Sequence, residues 1–116
     1  MTGQILHIAT RADWEAAQRD GAYTTSTRGR TLAEEGFIHA ARPEQVQPVF
    51  DRYYADADEP LVLLVIDPDR LGAEVRVEPV GDDTYPHVYG PIEPAAVVEV
   101  HPLDADGRRD QSRAQR

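Results

Sequence analysis

The chain has no cysteine, no lysine and no asparagine among its 116 residues, and each absence removes a class of chemistry. Without cysteine there is no thiol nucleophile, disulfide framework, zinc finger or cysteine-ligated iron–sulfur cluster. Without lysine there is no Schiff base, no internal aldimine for pyridoxal phosphate and no Walker-type phosphate loop. Any nucleophile is therefore an oxygen, an imidazole or a bound water. Long hydrophobic runs are also missing: the longest, Leu61 to Ile66, is far too short to cross a bilayer. The N-terminus lacks a basic region followed by a long apolar segment, so no signal peptide is expected and a cytoplasmic location is. Positive charge is scarce, with twelve arginines against 21 acidic residues and a formal net charge of −9. That balance opposes general attraction to phosphate backbones, so neither nucleic acid nor membrane is an expected partner. An arginine-lined pocket for a small anion remains open.

What is present is a globular composition, 41% hydrophobic and 28% charged. The length provides for one domain, expected over residues 1–103, while the polar residues 104–116 are expected to form a disordered tail. Three short apolar stretches each carry one histidine: Ile5-Leu6-His7-Ile8-Ala9, Gly36-Phe37-Ile38-His39-Ala40-Ala41 and Tyr85-Pro86-His87-Val88-Tyr89. Alternation along a strand puts His7 opposite Leu6 and Ile8, and His39 opposite Ile38. If these strands are neighbours, one cleft collects the three imidazoles, whose proton exchange near neutral pH makes them candidate site residues.

Around these strands the pattern predicts a mixed α+β domain of about six strands and two main helices early in the chain. Thr10 with Asp13 reads as a capping pair that opens a helix with Trp14 and Ala17 inward, and Gly21 is placed to end it. Tyr23 to Thr27 reads as a strand, Arg28-Gly29-Arg30 as a polar turn, and Thr31 to Glu35 as one helical turn. Pro43 opens a helix whose Val46, Val49, Phe50, Tyr53 and Tyr54 share a face, with a bend expected at Pro48. Leu61 to Ile66, apolar on both faces, is the most buried strand, and Glu74 to Val80 alternates as a half-exposed one. Ala95 to His101 makes the last strand.

The joint occurrence of I-L-H-I, Gly21-Ala22-Tyr23, E-G-F-I-H-A-A followed by Glu44-Gln45-Val46, and Y-P-H-V-Y-G-P-I closely resembles the DUF952 family of small bacterial proteins over about residues 4 to 101. The resemblance implies an ADP-ribosyltransferase-like fold, a split and strongly bent β-sheet pair whose cleft binds NAD. RNA 2′-phosphotransferases of that superfamily are similar in a second way, with a Y-H-G-T strand, a helix and a V-H-L-S strand in the order of L-H-I-A, the Trp14 helix and I-H-A-A here. By that similarity His7 and His39 sit where an ADP-ribose ligand is held, and His87 or Tyr89 takes the third cleft position. The chain departs from the pattern at Ile8-Ala9, which replace Gly-Thr, and at Ala41, which replaces serine; Thr10 or Thr25 could supply a substitute hydroxyl.

The resulting expectation is an NAD- or ADP-ribosyl-binding, nucleotide-binding protein with His39 and His87 as catalytic candidates and His7, Thr10, Tyr23, Arg42 and Tyr89 as ligand-binding candidates. NAD would be a substrate for ADP-ribosyl transfer or glycohydrolase chemistry, and no tightly bound cofactor is expected. Tyr23, Tyr85 and Tyr89 could stack on a nicotinamide or adenine ring, and Arg42, near a helix N-terminus, could pair with a phosphate. Glu34 or Glu35 could act as a base if it folds over the cleft. Two rival readings are a three-histidine metal-dependent hydrolase or lyase and a non-enzymatic partner-binding module.

Overall fold

A computed structural model describes residues 3–108. The first strand, β1 (Ile5–Thr10), runs directly into helix α1 (Arg11–Asp20), because Thr10 holds an extended backbone while its hydroxyl accepts the Asp13 N–H at 3.0 Å. Gly21 ends the helix in the left-handed conformation, φ 86°. A short hairpin follows, β2 (Thr25–Thr27) and β3 (Arg30–Thr31), then the one-turn helix α2 (Leu32–Glu35) and strand β4 (Ile38–His39). The expected helix at Pro43 is divided: a 3-10 turn at Pro43–Gln45 leads into α3 (Val46–Tyr53). Pro48 lies in the first turn of α3, where its missing N–H interrupts little. Four further strands complete the chain: β5 (Leu61–Ile66), β6 (Glu74–Val80), β7 (Asp83–Tyr89) and β8 (Val97–Leu103).

The strands form a sheet in the order β1-β5-β8, a second in the order β4-β7-β6, and the small β2-β3 pair, all antiparallel. β5 is buried at every position because both its faces are covered. Val62, Leu64 and Ile66 face Trp14 and Ala17 of α1 together with Ile38 and Val88 of the second sheet. Leu61, Leu63 and Val65 face Phe50 of α3 and Tyr54. The second sheet is different. It turns Ile38, Val75 and Val88 to the core and leaves its other face, with Arg76, Glu78, Tyr85, His87, Tyr89 and His39, to α2 and solvent.

Residues 38–41 join the two sheets. The Ala40 N–H donates to the Pro86 carbonyl at 3.0 Å, while Leu6 and Ala41 exchange bonds of 2.8 and 2.7 Å. One extended segment thus pairs first with β7 and then with β1, and the sheets diverge at that point.

Eight strands replace the expected six because the polar turn at Arg28-Gly29 closes the β2-β3 hairpin and the shortest pieces carry no strand periodicity. A correction also applies to the start of the polar tail. The Asp104 side chain accepts the Asp106 and Arg108 N–H groups, and Gly107, at φ 81°, is buried against the Phe50 ring, where any Cβ would clash. Residues 109–116, the rest of the expected tail, lie outside the described residues.

Candidate functional site

His7 and His39 both line one cavity, whereas His87 is not among its walls. Alternation along β1 puts His7 on the same face as Ile5 and Ala9, inside the main core. Its Nδ1–H donates to the His39 carbonyl at 2.5 Å, and its bare Nε2 accepts the Tyr23 hydroxyl at 2.8 Å. The imidazole therefore supplies a backbone-like hydrogen bond where β1 and β4 diverge. Burial pushes the His7 pKa down to about 4, only partly opposed by the carbonyl it bonds, so the ring is neutral. Tyr23 is buried beside it with its pKa raised by desolvation, and its backbone is tied to Ile92 on both sides. His7 and Tyr23 form a satisfied internal strut.

His39 and His87, in contrast, stand directly opposite each other across β4 and β7, with ring centroids 4.9 Å apart and planes nearly perpendicular. The His87 Nδ1–H donates to Glu78 Oε1 at 2.8 Å, and the Tyr89 hydroxyl donates to the same oxygen at 2.5 Å. Those two bonds, Tyr89 first, hold the Glu78 carboxyl below the usual range. Phe37 stacks on His87 at 4.1 Å, and Arg76 lies over the Tyr89 ring at 4.6 Å. His87 Nε2 is buried and has no hydrogen-bond partner among the described residues. His39 is half-buried, and its pKa is lowered by desolvation and then by His87, while Glu35, 3.7 Å from its Nε2, pulls the other way.

The cavity that His39 lines, of about 100 Å³, lies between β2, the β4 junction and α3. Its walls are apolar at Leu6, Ile8, Ala41, Val46 and Val49, and aromatic at Tyr53, Tyr54 and Tyr85. His7, Ser26, Thr27 and Arg52 join His39 in its polar lining. Ser26 is wholly buried, yet its hydroxyl has no partner among the described residues. Arg52 touches the Tyr53 ring and makes no ion pair among the described residues, whereas Arg28, Arg30, Arg42, Arg70 and Arg76 each hold a carboxylate.

The remaining candidates are committed elsewhere. The Thr10 hydroxyl caps α1. Arg42 spans Glu44 at 2.7 Å, Asp83 at 3.2 Å and the Thr84 carbonyl at 3.0 Å, so its guanidinium clamps the β6-β7 hairpin with Gln45. Thr25 lies against Asp13. His101 pairs with Glu99 on β8, away from the cavity. Among the described residues no group of three or more acidic or histidine side chains is arranged to hold a metal ion, which removes the geometric basis of the three-histidine metal reading. No helix among them is long and apolar enough to cross a membrane.

A model for the family described as "Protein of unknown function (DUF952)" matches residues 8–100. The chain belongs to the DUF952 family. This DUF952 chain also superposes on the crystal structure of protein CC0527 from Caulobacter crescentus with a TM-score of 0.76, at 30% identity and with 96% of each chain covered. The solution NMR structure of the same protein gives a TM-score of 0.68 at 30% identity, covering 96% of this chain and 95% of that one. No curated protein matches.

Several residues of the cavity were not singled out from the sequence. Ser26, Thr27 and Arg52 carry no motif. Glu78 did have a signal: a two-residue turn at Gly81-Asp82 sets Arg76 opposite His87, which brings Glu78, one alternation away, diagonally against the same ring. Glu35, considered as a group that could fold over the cleft, does approach His39.

Proposed function

We propose that this DUF952 protein is a cytoplasmic binder of NAD or a related ADP-ribosyl compound, with one ring of the ligand in the cavity beside His39. The observation that carries the reading is the buried Ser26 hydroxyl, unpartnered among the described residues, at a cavity with mainly aliphatic and aromatic walls. Leaving such a group unsatisfied costs roughly 1–3 kcal/mol, and a ligand carboxamide or ring nitrogen would recover that cost. At about 100 Å³ the cavity is smaller than the roughly 300–1,000 Å³ that encloses a whole drug-sized ligand. One planar ring would enter between Tyr85 and the apolar wall, ribose would meet His39, and the phosphates would lie at the mouth against Arg52. The free guanidinium suits a phosphate, which an acidic surface would otherwise repel.

The joined and diverging sheets are consistent with an ADP-ribosyltransferase-like split. Calorimetric titration of NAD and ADP-ribose into the wild-type chain and into Ser26→Ala and Arg52→Gln tests the reading. Saturable binding, weakened about tenfold by each substitution, is the expected result. Equal heats for all three proteins, or none at millimolar ligand, would reject it.

A further inference from the structure

We propose that Glu78, His87 and His39 form a proton relay opening into the cavity, in which His39 meets a ligand hydroxyl and His87 stores the proton beside Glu78. The ligand is taken from the reading above; the relay itself rests on the sheet. β7 is the central strand, with Glu78 on β6 to one side and His39 on β4 to the other. Since Nδ1 of His87 is spent on the Glu78 carboxylate, it carries the proton and Nε2 is bare. The two nitrogens lie on opposing edges of the ring, so the bare one is turned away from β6, toward the side on which His39 lies. Glu78 holds this tautomer, with Tyr89 donating to the same oxygen, and Phe37 packs on both imidazoles.

The proton balance is simple. A ligand O–H gives its proton to the bare nitrogen of His39, the N–H on the other side of that ring passes its proton to Nε2 of His87, and His87 becomes an imidazolium held by the Glu78 carboxylate. The ligand oxygen is left as the stronger nucleophile, and the reverse transfer restores the start. A swing of the half-exposed His39 ring, which makes no hydrogen bond shorter than its 3.7 Å approach to Glu35, closes the gap. The other groups facing the pair are Glu35 from α2, itself held by Arg30, Arg76 on β6, and Tyr89. Arg76, directly across the strand pair from His87, turns its guanidinium over the Tyr89 ring and onto Glu74.

The test is nitrogen NMR of the imidazoles in the unliganded chain across pH, for wild type, Glu78→Gln and Glu35→Gln, with melting temperature as a check on folding. The relay predicts His87 protonated on Nδ1 at neutral pH and a His39 titration that senses Glu78 through His87. It predicts that Glu78→Gln lowers the His39 midpoint, because the carboxylate that acts on it through His87 is gone. Glu35→Gln moves His39 first. A proton on Nε2 of His87, or a His39 curve indifferent to Glu78→Gln in a folded protein, overturns the relay. Adding ADP-ribose separates the two proposals. Binding to a chain whose histidines titrate independently defeats the relay alone, whereas coupled titration with no response to ADP-ribose defeats the ligand reading and the relay's opening onto a nucleotide hydroxyl.

Discussion

His7 and His87 are almost equally hidden, with 4% and 3% of their surface exposed, yet the two sheets make opposite use of the same side chain. In β1 both ring nitrogens are satisfied, by a carbonyl and a tyrosine, and the ring behaves as a neutral peptide-like link between strands. In β7 one nitrogen meets a carboxylate and the other has no hydrogen-bond partner among the described residues. Burial alone therefore does not distinguish the two histidines; the accounting of their hydrogen bonds does. The same contrast holds for the sheets that carry them. In one, β1 and β5 are buried on both faces, and the other turns one face outward and gathers ionisable groups there.

The largest expected effect comes from removing His7. His7→Ala leaves the buried Tyr23 hydroxyl and the His39 carbonyl without partners and opens a void, which should cost about 4 kcal/mol in chemical denaturation. His87→Ala should cost less than half of that. Comparable losses at the two positions would break the contrast between strut and site.

Acid is expected to act next. The folded pKa of His7, about 4, lies below the roughly 6.5 of an unfolded histidine, so the unfolded chain binds the extra proton. The stabilising contribution is complete above pH 6.5 and is lost as pH falls toward 4, by about 3 kcal/mol in all. Denaturation midpoints measured between pH 7 and 4 should show this slope in the wild type and lose it in His7→Gln. A slope unchanged in His7→Gln would assign it to other groups.

The smallest effect has the opposite sign. Ser26→Ala removes an orphaned hydroxyl, so the unliganded protein should melt higher, by about 1 kcal/mol of added stability, while its ligand affinity falls. A lower melting temperature would mean that Ser26 is part of the packed core and not of the binding surface.

Much of the frame was legible in the sequence for reasons that are local. Thr10, Asp13 and Gly21 set both ends of α1, and the six apolar residues of β5 announced burial on both faces. The candidate site was legible only in part. Alternation placed His7 opposite Leu6 and Ile8, but not on which side of the sheet the core would close, and that decides between cleft and interior. His39 and His87 came together because β4 pairs with β7, a contact 48 residues apart that no periodicity records. Ser26 and Arg52 reach the cavity from β2 and α3 purely through tertiary packing.

The most direct measurement is an NMR titration of the four histidine rings with NAD and with ADP-ribose. The account predicts saturable shifts led by His39 and His87, smaller ones at His7, whose ring borders the cavity, and His101 nearly still. Shifts led by His7, or none at millimolar ligand, would contradict it.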